Sequence, residues 1–101
     1  MSKVATNFRH EGGEIVQQYH DTAVTREGID AQGKYVQCFN GGWQTNTTKR
    51  RINDRLEFIG WAVFQKAGAW YVWNQETGES VPFKEGIILR PVRIPETVEV
   101  A

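Results

Sequence analysis

Gly41-Gly42-Trp43-Gln44-Thr45-Asn46-Thr47-Thr48-Lys49-Arg50-Arg51-Ile52-Asn53 reads as a glycine turn, a short polar segment and the opening of a helix. Ile52, Leu56 and Ile59 follow at i, i+4 and i+7 and stack on one helical face. A hydroxyl from Thr47 or Thr48 is expected to cap the first free backbone N–H groups. Gly60 stands where a left-handed C-terminal cap belongs. The spacing therefore predicts one helix over 48–59. Arg50, Asn53, Asp54 and Glu57 would face outward, with Arg51, Arg55 and Phe58 sharing a flank.

Working outward, residues 14–25 are rich in β-branched and aromatic side chains and predict a strand, bulged near Asp21. Glu27-Gly28 and Gln32-Gly33 punctuate a loop, and residues 34–39 predict a second strand. Trp43, beside two glycines, is expected to anchor its loop into the core. Beyond Gly60 the pattern changes to period two. Residues 61–66 and 69–74 flank Ala67-Gly68, a two-residue hairpin turn. That turn sets a register pairing Phe64 with Tyr71 and Ala62 with Trp73 on one face. Val63 then pairs with Val72, and Gln65 with Trp70, on the other. Residues 80–83 and 87–90 are two further short strands. The expected fold is α+β: one small antiparallel sheet of about five strands, in the order ββαβββ, packed on one helix. Residues 14–90 form the domain, 1–13 a flexible lead-in, and 91–101 a tail or edge strand.

Composition narrows the function. The 101 residues suit one domain, and twelve basic against twelve acidic side chains leave no global field to gather nucleic acid or membrane. The one cysteine, Cys38, excludes an intramolecular disulfide and fits a reducing compartment. No segment approaches the length needed to span a bilayer. His10 and His20 lack a partner at metal-ligand spacing, and no nucleophile–base pair or paired carboxylates stand out. The sequence thus predicts no catalytic residue, no metal and no cofactor.

Two features point to binding instead. Thr45, Thr47, Thr48, Lys49, Arg50 and Arg51 gather hydroxyls, backbone N–H groups and positive charge at the helix start, with Arg55 one turn on. That set would suit an anion or nucleic acid; equally, Arg50 can pair with Asp54 on a solvated face. Phe64, Tyr71 and Trp73 form an aromatic face that would stack on bases, bind a protein, or pack into the core.

The run from Gly41 to Asn53 resembles a core seen in small uncharacterised proteins of tailed bacteriophages. The similarity extends to Val63-Phe64-Gln65-Lys66, Trp70-Tyr71-Val72, Pro82-Phe83 with Gly86, and His20-Asp21-Thr22-Ala23-Val24. The resemblance implies a phage accessory protein in the bacterial cytoplasm. By analogy with other small phage proteins, it implies binding to and inhibiting a host protein or nucleoprotein complex. CRISPR effectors, restriction enzymes and RNA polymerase are the kind of target implied. Alternative readings are a nucleic-acid-binding module, a sequestering protein for a small phosphorylated ligand, and a virion or homo-oligomeric structural protein.

Overall fold

The computed structural model describes residues 6–92. The eight strands are β1 (Thr6–Glu11), β2 (Glu14–Tyr19), β3 (Thr22–Asp30), β4 (Gly33–Cys38), β5 (Trp61–Lys66), β6 (Ala69–Asn74), β7 (Ser80–Pro82) and β8 (Ile87–Leu89). The helix α1 spans Asn46–Leu56 and tightens into a 3-10 turn, Glu57–Ile59. The class is α+β, but the single sheet expected is two. One is five-stranded in the order β1-β2-β3-β4-β8; the other is the meander β5-β6-β7.

The N-terminal half departs most from expectation. Thr6–Glu11, assigned to a flexible lead-in, is a strand closed onto β2 by the Gly12-Gly13 turn. The expected strand over 14–25 is two strands, because His20 adopts a left-handed φ of 57° and turns the chain at His20-Asp21. Glu27-Gly28 lies inside β3 rather than in a loop. A bulge does occur, at Val24: Gln17 faces Thr25 while Gln18 faces Ala23. The extra residue lets two consecutive side chains, Val24 and Thr25, both be buried.

The helix begins two residues early because Thr45, not Thr47 or Thr48, caps it: its Oγ1 accepts from the Thr48 N–H at 3.1 Å. Gly60 closes the 3-10 turn with φ 89°, as the sequence requires. Ile52, Leu56 and Ile59 point inward and meet Val24, Val36, Cys38 and Leu89 from the first sheet. Val63, Trp70 and Val72 complete that core from the second sheet, in the expected register. The helix is thus the filling between two sheets. Phe64, Tyr71 and Trp73 lie on the far side of the second sheet.

Asn53 does not face outward. Its side-chain amide donates to the Val63 carbonyl at 3.1 Å and accepts from the Val63 N–H at 2.6 Å. It supplies to Val63, in the middle of β5, what a neighbouring strand would, and so blocks that edge at one position.

The outer face of the first sheet is a lattice of charge. Arg26 donates to Glu11 and Glu14, Arg9 to Glu11 and Gln18, and Tyr35 to Glu14. Arg90 forks onto Asp30. Hydrogen bonds from Arg26, then Arg9, hold the Glu11 carboxyl below the usual range, and Arg90 does the same for Asp30. A carboxyl depressed on folding adds stability above its unfolded pKa and loses it as pH falls through the folded value. Melting temperature is therefore expected to drop on acidification below the ordinary carboxylate range. Arg90→Ala should reduce that dependence; a slope unchanged in the variant would show that Asp30 contributes nothing to it.

Candidate functional site

A cleft of about 400 Å³ opens where the β2–β3 turn meets the loop that leads into the helix. Tyr19, His20 and Asp21 form one wall; Asn40, Trp43 and Thr45 form the other, with Thr48 near the helix start. Local sequence explains both walls. The turn places Tyr19 and His20 side by side, ring centroids 4.3 Å apart. On the other side the chain turns through Gly41 and Gly42, both left-handed, and Trp43 N–H closes onto the Asn40 carbonyl at 2.8 Å.

This loop is held firmly. The Glu85 carboxylate accepts the backbone N–H groups of Asn40 and Gly41, and the Asn40 side chain accepts that of Gly42. Gly41 also lies against β3 so closely that a Cβ there would stand 2.4 Å from Thr22 Oγ1. The two walls are in contact at their base, and glycine is what allows it.

Trp43 is not an anchor in the core: it is 63 % exposed at the mouth of the cleft. Gly41 takes the close contact with Thr22, and the turn swings the indole outward. A tryptophan presented on a braced loop is a preformed apolar contact surface. On the opposite wall the exposed Asp21 has no hydrogen-bond or ion-pair partner among the described residues. The cleft therefore offers aromatic walls, one carboxylate and the Thr45 hydroxyl. It suits a flat or apolar group carrying N–H donors.

The expected basic cluster does not converge. Lys49 reaches across to Gln65 of β5, Nζ to Oε1 3.2 Å. Together with the exposed Arg50 it lines a shallow groove that also holds Asp54 and Glu57, so the charge there is mixed. Arg51 lies on the opposite flank, its guanidinium carbon 5.5 Å from the centre of the Tyr19 ring. Arg55, expected to add to the anion site one turn on, instead grips Glu27 of β3 through Nε at 2.5 Å and a second nitrogen at 3.3 Å. That pair raises the Arg55 pKa. Thr47 is exposed, while Thr48 is buried and Thr45 is taken up in the cap. Of the anion-site residues, only Thr45 and Thr48 line the aromatic cleft.

The aromatic face is a separate surface. Phe64 and Tyr71 stack at 5.4 Å, and Trp73 beside them borders a shallow depression with Gly78 and Ser80. The sequence reading missed Tyr19, His20, Asp21 and Asn40 as cleft residues. The signal was the His20-Asp21 dipeptide, which reads as strand until the chain is seen to turn there.

No cluster of three or more histidine, cysteine or acidic side chains able to hold a metal occurs among the described residues. No described helix is long and apolar enough to cross a membrane. Burial, with a smaller contribution from Glu27, pushes the Cys38 thiol up to about 12, so it stays protonated and unreactive.

Fold and cleft together define a small two-sheet α+β protein that presents an exposed tryptophan on a braced loop beside a largely apolar cleft. The chain belongs to the Kyanoviridae Gp96 protein family, a family of bacteriophage proteins, whose model matches residues 2–90. No curated protein and no solved structure matches the chain.

Proposed function

We infer that this phage protein is a non-catalytic accessory factor that docks on a host macromolecule in the bacterial cytoplasm and blocks it. The anti-defence and host-takeover roles implied by its phage kinship are the form this takes. The observation that carries the reading is Trp43, 63 % exposed on a loop pinned by Glu85 and Asn40. A tryptophan exposed on a loop whose backbone is already pinned loses little backbone freedom on binding and brings a large apolar contact, which is the character of an interface anchor. A host protein is the favoured partner, because the cations of the helix start face different directions.

The test is capture from host lysate by the wild type and by Trp43→Ala, read together with melting temperature. The variant is expected to lose the captured partner, by about 2 kcal/mol or more in affinity, with its melting temperature unchanged. Equal capture by both proteins, or none by either, would overturn the reading.

One observation favours a second reading. Arg51 lies over Tyr19, so a base in the cleft would have a cation nearby for its phosphate. In that case short RNA or DNA would bind more weakly as salt rises, and Arg51→Ala would lower the salt slope by about one unit.

A further inference from the structure

We propose that the edge of β1, which no described strand pairs, is a pairing surface for a second copy of this chain, joining two five-stranded sheets antiparallel about a two-fold axis through Phe8. The other sheet edges are guarded among the described residues. Asn53 interrupts that of β5 at Val63. β7 is three residues long and ends in Pro82, and β8 is three residues long with Pro91 soon after it. β1 has six residues, no proline and no bulge. An unguarded strand of that length is a template for another strand.

The hairpin geometry says which groups the edge offers. The two-residue turn Gly12-Gly13 makes Glu11 and Glu14 a mutually hydrogen-bonded pair. Bonded and non-bonded pairs alternate from there, so Arg9 and Asn7 turn their backbone groups toward β2. Thr6, Phe8 and His10 turn theirs outward. An antiparallel pair of β1 strands must match these outward residues with one another. Setting Phe8 opposite Phe8 does so over the greatest length, since Thr6 then bonds His10 in both directions. On the charged face this register sets Asn7 beside Arg9. Sliding two residues one way sets Arg9 against Arg9; sliding further shortens the overlap to the turn glycines.

Side chains agree with that register. Phe8 is 53 % exposed and lies on the helix side of the sheet, under the Arg55 guanidinium. Two phenyl rings meeting at the axis would bury that surface in each copy, and Arg55 is already paired with Glu27. The result is a continuous sheet whose two helices lie on one side and whose two clefts are related by the axis.

Single cysteine substitutions in the full chain test both dimer and register, because native Cys38 is buried and its thiol stays protonated. In a hydrogen-bonded antiparallel pair opposed Cα atoms are about 5.5 Å apart, within disulfide range. Phe8→Cys is therefore expected to cross-link with itself under mild oxidant. Asn7→Cys and Arg9→Cys would stand about 8 Å from their own copies, too far to bridge. Sedimentation equilibrium should show a dimer for the wild type and a monomer for Phe8→Glu, which sets two carboxylates together at the axis. A wild type that sediments as a monomer at every concentration overturns the proposal. So does a dimer that persists in Phe8→Glu, or one that cross-links through Arg9→Cys in preference to Phe8→Cys.

Discussion

Asn53→Ala is expected to lower stability by about 3 kcal/mol, because it removes both partners of a buried strand residue at once. Val63 is 4 % exposed, and its N–H and carbonyl are both satisfied by the Asn53 amide. A stranded buried donor or acceptor costs about 1–3 kcal/mol, and here there is one of each. Asn53 and Val63 also line the shallow groove between helix and β5, so water can recover part of the loss, which keeps the expected effect at the lower end of the range. Asn53→Asp separates the two bonds. A carboxylate still accepts from the Val63 N–H but cannot donate to the carbonyl, so it should be nearly as damaging as alanine. Urea unfolding of the two variants decides the matter. A loss below about 0.5 kcal/mol in both would mean that the edge of β5 is hydrated and the amide is incidental.

The second large effect lies across the helix. Glu27 is 5 % exposed, and its carboxylate is held by the Arg55 fork, with Lys34 Nζ further off at 3.6 Å. Arg55→Ala leaves a buried negative charge with only a partly exposed lysine near it, at a cost of about 3 kcal/mol. The arginine also lies over Phe8 and Phe58, 5.6 and 5.2 Å from the ring centres, so packing is lost as well. Arg55→Lys should recover only part of the loss, since a single ammonium cannot reproduce two bonds in a plane. Glu27→Gln should be milder than Arg55→Ala, because the arginine keeps access to water on one side. If Glu27→Gln proves the more damaging, the charge on Glu27 stabilises the fold more than its partner does.

These two sites also show what could be read in the sequence. The β5–β6 register followed directly, because a two-residue turn at Ala67-Gly68 leaves one pairing, and the structure has it. The core triad of the helix followed from its spacing. The N-terminal strand did not, since Phe8 is the one large apolar residue in β1 and alternation needs more than one to be visible. Gly12-Gly13 was a hairpin signal taken for a loose end. The turn at His20-Asp21 was hidden because the left-handed residue is a histidine rather than a glycine. Arg55 was legible as a cation, but its partner is 28 residues away in a strand mistaken for a loop. Trp43 was assigned inward on its size and its place beside two glycines, and neither says which side of a turn a ring will fall on. The cleft needed both errors corrected before its walls could be seen.

The return of β8 to the first sheet sets an order of events during synthesis. Leu89 pairs with Val36, and between them lie the helix and the whole of the second meander. Strands β1 to β4 pair with near neighbours and can assemble early on the ribosome; β8 closes its loop only after the helix and the second meander have emerged. Glu85, which pins the Trp43 loop, sits just before that strand. The nascent chain therefore holds its walls before it holds its latch, and the cleft takes its final shape only once β8 has docked.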